Sequence, residues 1–228
     1  MDGIKSKDRV KEHGEVFTPD SIVNDMLDLV DEELHGCTAQ EYIEKTYLEP
    51  ACGDGQFLIR ILSRKLEKVA SMPIENRTMA LLKAVSTIYG VDIQEDNVIE
   101  ARKRMLKIIF GEDVDTFDLN NKTNIIKIDT GVEMTDDVKS AAESIVSHNI
   151  IVGNTLEPDG NMETKPIMIN EYIFDNENIT INQVYFSKLN DIVNKIGPIH
   201  YSKLSESLES NGYTDELVNE DGEEDFNF

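Results

Sequence analysis

Apolar residues recur at helical spacing in five stretches of the chain. The first follows Thr18-Pro19, which we predict as the N-cap and first residue of a helix that runs to Gly36. Its apolar positions are Ile22, Val23, Met26, Leu27, Val30 and Leu34. The same periodicity predicts four further helices, over residues 57–66, 74–86, 98–109 and 136–147.

Short apolar runs between these helices predict β-strands, at Thr46–Leu48, Thr87–Asp92 and Asn149–Gly153. Because strands alternate with helices, we expect an α/β fold with a parallel sheet. Residues 125–128 predict one further small strand. Two later strand-like segments, 166–174 and 179–186, are joined by four polar residues and predict an appended C-terminal β-hairpin.

Charge narrows the choice of partners. The 228 residues include 22 basic and 45 acidic side chains, a net charge of −23 that opposes unaided binding to nucleic acid. Nine of the acids lie in residues 204–228, and the rest of the chain still carries −14. From about Asn211 onward we therefore expect a mobile, solvated tail.

Three features of the sequence bear on where in the cell we expect this protein. The longest stretch without Asp, Glu, Lys or Arg is 13 residues, Ser144 to Leu156, short of the roughly 20 that span a bilayer. The N-terminus has no apolar core of the kind found in secretory signals. With only Cys37 and Cys52, a disulfide framework is not expected. We expect a cytoplasmic protein that does not bind membranes.

The segment Leu48–Leu58, with sequence LEPACGDGQFL, predicts a strand, a glycine turn and a helix. Glycines at the carboxyl end of a strand let the backbone turn sharply and approach a ligand closely. A tight strand-to-helix turn without a ligand would have the same residues. Asp92 ends the next strand, where a carboxylate can accept hydrogen bonds from both ribose hydroxyls of an adenosine group. A solvated acid is the alternative for Asp92.

Four segments, in this order, resemble the adenine-specific (N6) DNA methyltransferases that use S-adenosylmethionine, particularly the methylase subunits of restriction-modification systems. They are Gly14–Pro19, Leu48–Leu58, Tyr89–Gln94 and Ile150–Leu156. The resemblance covers roughly residues 5 to 160. It implies a Rossmann-like class I methyltransferase core with a parallel sheet, an N-terminal helix and the hairpin appended.

The resemblance also assigns the cofactor site. The residues it places around S-adenosylmethionine are Phe17, Thr18, Glu49, Ala51, Gly53, Gly55, Asp92, Ile93 and Asn154. The family usually has Asp where this chain has Asn154, a residue that can still accept one hydrogen bond and donate another. No metal is implied, and the scattered His and Cys residues show no zinc-type spacing.

The catalytic motif of the family is absent. Family enzymes carry Asn, Asp or Ser, then Pro-Pro, then an aromatic residue, which hold a flipped adenine. No two of the six prolines in this chain are adjacent. Neither of the nearest stand-ins, Asn154–Pro158 and Asn170–Tyr172, reproduces a pair of aligned acceptors backed by an aromatic residue. We therefore assign no catalytic residue.

We divide the chain into four parts. They are a cofactor-closing arm (1–18), a cofactor-binding α/β core (19–160), a hairpin with a helical extension (161–210) and the acidic tail (211–228).

Three functions remain open. The first is a methylase-family protein that binds S-adenosylmethionine and transfers methyl groups to DNA only with a substitute acceptor site or a more basic partner subunit. The second is an inactive, methylase-like interaction protein, including an acidic DNA mimic that regulates a restriction-modification enzyme. The third is another nucleotide-binding α/β protein. Glu49 and Asp54 beside the glycine loop make this function less favourable, because their negative charges would repel a phosphate ligand.

Overall fold

The computed structural model describes residues 18–117, 123–161 and 165–211. Residues 1–17 and 212–228 lie outside the described residues, so the expectations for Phe17 and for the mobile tail beyond Asn211 stay predictions. In chain order the described elements are α1 (Asp20–Glu33), α2 (Ala39–Ile43), β1 (Tyr47–Glu49), α3 (Gln56–Ala70), α4 (Arg77–Ser86), β2 (Ile88–Asp92), α5 (Glu95–Ile109), β3 (Val114–Phe117), β4 (Thr123–Ile126), α6 (Asp136–Asn149), β5 (Ile150–Val152), β6 (Met168–Asp175), β7 (Asn178–Tyr185), β8 (Lys188–His200) and α7 (Leu204–Ser210).

The five predicted helices are confirmed, but the start of the first was wrong. Pro19, not Thr18, occupies the N-cap position, and its ψ of 147° is extended rather than helical. No side chain caps the helix. Instead the buried Asp20 carboxylate pairs with Arg60 of α3 through two hydrogen bonds, which fixes the beginning of α1 against α3. The helix ends at Glu33, three residues before the predicted end at Gly36.

The fold is mixed α/β and contains a three-stranded parallel sheet in the order β1-β2-β5. Leu48 lies opposite Tyr89, and Val91 lies opposite Ile151. Because all three strands run in the same direction, their carboxyl ends lie at one edge of the sheet. The strand predicted at 125–128 is displaced: β4 covers Thr123–Ile126 and pairs antiparallel with β3, in a separate two-stranded sheet.

Helix α3 lies at the centre of the helical layer, packed against α1, α2, α4 and α5. Its apolar residues are buried on nearly every side, including Leu58, Ile59, Leu62 and Leu66. The same core contains the Lys65 side chain, which is fully buried. A charged residue at such a position needs hydrogen-bond partners, and its ammonium donates to Ile43 O, Lys45 O and Thr87 Oγ1.

The predicted hairpin is confirmed as β6 and β7, and a third strand that the sequence did not predict, β8, extends it to an antiparallel sheet. One face of this sheet buries Ile179, Ile181 and Ile196 against the helices. Strand β8 is exposed from Lys188 to Lys195. Its pairing with β7 shifts register around Val184, on both sides of that residue.

Within the residues that the structure describes, no helix has the length and apolar character needed to cross a bilayer.

Candidate functional site

The loops that follow β1, β2 and β5 leave the parallel sheet at the same edge. We call this region the strand-end site; it comprises residues 49–55, 92–94 and 153–157. Backbone hydrogen bonds hold the loops together: Cys52 N donates to Val91 O at 2.9 Å, and Gly153 N donates to Asp92 O at 2.9 Å. The Thr155 hydroxyl adds a link of 3.0 Å to Pro50 O, which joins the loops after β1 and β5.

The loop after β1 turns on two glycines. Gly53 has φ +54° and Gly55 has φ +88°, in the left-handed region that residues with a Cβ rarely adopt. Gly55 is also the N-cap of α3. A Cβ at Gly55 would lie 3.0 Å from the Cβ of Ala101 on α5, so the close packing of this loop against α5 requires glycine.

Asp92 is the centre of the site. Its Oδ2 accepts the backbone N–H of Gly53 at 2.9 Å, and its Oδ1 accepts the N–H of Gln94 at 2.9 Å. The Asn97 side chain adds a third bond, at 3.3 Å. A carboxylate has about four acceptor positions, so these bonds leave roughly one for a ligand. The structure thus brings the predicted loop and the predicted strand-end acid into direct contact.

Acidic groups surround the loop. The half-buried Glu49 accepts the Ala51 N–H at 3.4 Å, and burial raises the pKa of this carboxyl. Burial, together with the negative charges of Asp92, Glu49 and Asp54, raises the pKa of the Cys52 thiol well above its usual range. The electrostatic environment of the site is therefore negative, which favours a cationic ligand and opposes a phosphate.

Arg104 of α5 organises this loop and was not predicted from the sequence. Its guanidinium donates to Asp54 O at 2.8 Å and to Gln56 Oε1 at 2.9 Å, and it lies 3.0 Å from the Asp54 carboxylate. It also donates to Asp115 O. Sequence reasoning missed it because α5 lies some fifty residues further along the chain. The sequence did contain a signal for burial of this arginine: Arg104 is next to the apolar Met105, and both residues are buried in α5.

Apolar side chains lie exposed at the same edge of the sheet. Ile93 follows Asp92 directly and is 57% exposed, and Leu156 in the loop after β5 is 90% exposed. Val152, the last residue of β5, and Leu48 of β1 are also exposed. Ile93 and Leu156 therefore offer apolar surface beside the polar loops of the strand-end site.

The remaining predicted residues differ in their placement. Phe17 lies outside the described residues, and within those residues no hydrogen bond joins Thr18 to the strand-end site. Asn154 lies in the loop after β5, where its Oδ1 accepts the Leu156 N–H at 3.1 Å. Its carbonyl accepts the Glu157 N–H at 3.0 Å. Asn154 therefore shapes its own loop.

The second stand-in for the missing catalytic motif is not accessible. Asn170 of β6 is 2% exposed, and its Nδ2 donates to the Tyr172 hydroxyl at 3.4 Å. Its carbonyl accepts the Tyr89 hydroxyl at 2.6 Å, so β6 is tied to the parallel sheet here. Because Asn170 is enclosed in the protein, it does not present acceptors to a base in this conformation.

A separate cleft of about 360 Å³ lies between α4 and the turn joining β6 to β7. None of the predicted site residues lines it; its walls include Met79, Lys83, Phe174 and Glu177. In the part of the chain that the structure describes, no group of three or more His, Cys, Asp or Glu residues could hold a metal ion.

Comparison of the chain with protein-family models, with curated proteins and with solved structures finds no match. The fold and the strand-end site are therefore defined by the structure alone. The chain is an α/β protein in which a glycine loop contacts a strand-end carboxylate.

Proposed function

We propose that this chain binds S-adenosylmethionine at the strand-end site and is related to the DNA adenine-N6 methyltransferases, with a Rossmann-like class I core. The observation that carries the proposal is the 2.9 Å hydrogen bond from Gly53 N to Asp92 Oδ2. It joins the glycine loop to the strand-end acid at the edge of a parallel sheet where nucleotides bind in such folds.

The charge of the site supports this ligand over a phosphate-bearing one. S-adenosylmethionine has a positive sulfonium and an ammonium group, and its adenosine part is uncharged. Glu49 and Asp92 lie close enough to Cys52 to raise the pKa of its thiol, so both contribute negative potential at the loop, whereas the charge of Asp54 is balanced by Arg104. A cation is stabilised by this potential and a phosphate is repelled by it.

Each part of the ligand has candidate partners. Asp92 would accept a hydrogen bond from a ribose hydroxyl, at its remaining acceptor position or by displacing the Gly53 N–H. Ile93 would contact the adenine ring, and Asn154 would offer its amide to the ring nitrogens. Gly53, Gly55 and Ala51 would let the loop backbone approach the methionine part, with Phe17 and Thr18 closing over it. The cofactor would supply a methyl group already activated by the sulfonium, so no metal is needed.

Methyl transfer to DNA would require a second component. The paired acceptors and aromatic residue that hold a flipped adenine are missing from the sequence, and Asn170 is buried. A chain of net charge −23 also gains little from phosphate contacts. We propose that DNA is reached only through a substitute acceptor site or a more basic partner subunit, in the cytoplasm and not at a membrane.

Isothermal titration with S-adenosylmethionine tests the proposal directly. We expect saturable binding to the full chain, weakened at least about tenfold by Asp92→Asn, which removes one charged acceptor. Asp191→Asn, an exposed site on β8, should bind like the unmodified chain. Saturable binding that is equal in all three proteins would place the ligand elsewhere, and no binding by a folded chain at millimolar ligand would refute the proposal.

A labelled-methyl assay on unmethylated DNA then separates a binder from an enzyme. We expect no incorporation by the chain alone. Incorporation that Asp92→Asn abolishes would show that the chain holds an acceptor site of its own.

A second candidate function is an inactive methylase-like protein that regulates or assembles with a restriction-modification enzyme, including mimicry of DNA charge. The observation that favours it is the combination of a net charge of −23 with the missing motif. Inhibition of a DNA-binding enzyme at low salt that fades as salt is added would support it. An absence of inhibition at low salt would count against it.

A further inference from the structure

Helix α1 exposes an apolar stripe. Ile22 is 41% exposed, Met26 is 50% exposed and Leu29 is 65% exposed, and Val30 beside them is 39% exposed. Their spacing of three and four residues places them on one side of the helix, in successive turns. The adjoining apolar residues Val23 and Leu27 are buried, and α1 packs on α3. The apolar face of the helix is therefore wide, and only part of it is covered within the described residues.

Acids border this stripe. Helix α1 contains six acidic residues and no Lys or Arg. Three of them face α3, where Asp20 pairs with Arg60, and Asp28 and Asp31 pair with Arg64. The other three are exposed: Asp25, Glu32 and Glu33. Asp25 and Glu32 lie seven residues apart, so helical periodicity puts both along the same border, next to Leu29.

We propose that the exposed face of α1 is a docking site for an amphipathic helix of a partner protein that carries Lys or Arg beside its own apolar stripe. Apolar residues at a spacing of three and four are the anchors that helices use when they pack on one another. The acidic border selects a basic partner, because opposite charges flanking an apolar contact guide association and like charges suppress wrong partners.

A second copy of this chain is a poor occupant of the same face. Two copies of α1 packed together would bring Asp25, Glu32 and Glu33 of each molecule close to those of the other, without a basic residue in either helix. Like charges at such a contact are destabilising. The docking proposal does not rest on cofactor binding, since it concerns α1 alone, and its test measures peptide binding instead of ligand binding.

A synthetic peptide of about 18 residues provides the probe, with Leu at positions spaced by three and four and Lys and Arg on both sides of this stripe. A second peptide has the same composition in scrambled order, so it has the same charge without the stripe. Fluorescence anisotropy with labelled peptide measures binding to the full chain. We expect the amphipathic peptide to bind at least about tenfold more tightly than the scrambled one. Binding should also weaken between about 50 and 500 mM salt.

Three variants locate the contact. Met26→Asp together with Leu29→Asp should reduce binding of the amphipathic peptide to the level of the scrambled one. Asp25→Lys together with Glu32→Lys should weaken it at least about fivefold and remove most of the salt dependence. Leu189→Asp together with Ile192→Asp is the matched control, because these residues are equally exposed and apolar but lie on β8. It should leave binding unchanged, and circular dichroism checks the fold of each variant.

Two results would overturn the proposal. One is equal binding of the two peptides, or binding that the α1 variants do not change, which would indicate general attraction to an acidic protein. The other is a stable dimer in analytical ultracentrifugation that Met26→Asp dissociates, which would assign the face to a second copy.

Discussion

The Gly53 amide and the Asp92 carboxylate, 39 residues apart in the sequence, form a hydrogen bond of 2.9 Å that fastens the glycine loop to the end of β2. The same carboxylate accepts the Gln94 N–H and the Asn97 amide. One side chain therefore holds the loop of one strand, the turn after another and the first turns of α5. Its contribution to stability can be measured separately from any role in ligand binding.

Removing the Asp92 carboxylate should destabilise the fold. Asp92→Ala leaves the backbone donors of Gly53 and Gln94 without an acceptor, which should lower the free energy of unfolding by about 2 kcal/mol. Asp92→Asn keeps one acceptor oxygen and should cost about half as much. Urea unfolding measures both, with the exposed Asp191→Ala as the control. A loss in Asp92→Ala no larger than in the control would mean that these bonds contribute nothing.

Gly55→Ala should be more destabilising than Gly36→Ala. Both glycines have φ close to +90°, so a Cβ costs about 1 kcal/mol in backbone strain at either position. Only at Gly55 would the Cβ also meet Ala101, at 3.0 Å, whereas nothing lies within 4 Å at Gly36. We expect a further loss of about 1 kcal/mol in Gly55→Ala, measured by urea unfolding. Equal losses would show that the loop relaxes away from α5.

Lys65 should make the stability depend on pH. Burial lowers the pKa of this ammonium from 10.5 to about 7, although its three oxygen acceptors favour the charged form. Between pH 7 and 10.5 Lys65 then binds more protons in the unfolded chain than in the folded one, so its contribution to the free energy of unfolding should rise with pH. The slope should be at most about 1.4 kcal/mol per pH unit.

Lys65→Met should remove this contribution. Urea unfolding from pH 7 to 10 measures the slope in the unmodified chain and in the variant. Lys68→Met, an exposed lysine on the same helix, is the control and should keep the slope. A slope that persists in Lys65→Met would show that other groups cause it and that Lys65 stays charged in the core.

The two cysteines should differ in reactivity. The thiolate is the nucleophile, and burial together with three carboxylates raises the pKa of the Cys52 thiol, whereas Cys37 is exposed. In the native protein at neutral pH, iodoacetamide should modify Cys37 at least about tenfold faster than Cys52. Mass spectrometry of digested protein gives both rates, and the urea-unfolded chain should show similar rates. Fast native modification of Cys52 would indicate that the loop opens.

The elements with strong periodicity could be predicted from the sequence. Leu58, Leu62 and Leu66 at helical spacing predicted α3, and the apolar run ending at Asp92 predicted β2. The third strand of the antiparallel sheet could not be predicted. Its residues include Asn190, Asp191, Asn194, Gly197 and Pro198, which disfavour strands, and pairing with β7 overrides that preference.

The strand-end site was predicted only in part, because only some of its residues are marked by local sequence. Gly53, Gly55 and Asp92 stand at strand ends, where local sequence shows a turn, and the structure brings them together. Arg104 and Thr155 join the same site from distant positions in the sequence, through contacts that depend on how α5 and β5 pack. Such contacts become visible only when the tertiary structure is known.

Strand β8 has a consequence for solubility. It is long, exposed and carries Leu189, Ile192 and Val193 on the outer edge of a sheet, features that ordinarily allow strands of other molecules to add on and start aggregates. The register shifts around Val184 break the regular row of backbone donors and acceptors there. An added strand would therefore find matching partners over only a few residues at a time, so this edge should resist fibril growth despite its apolar side chains.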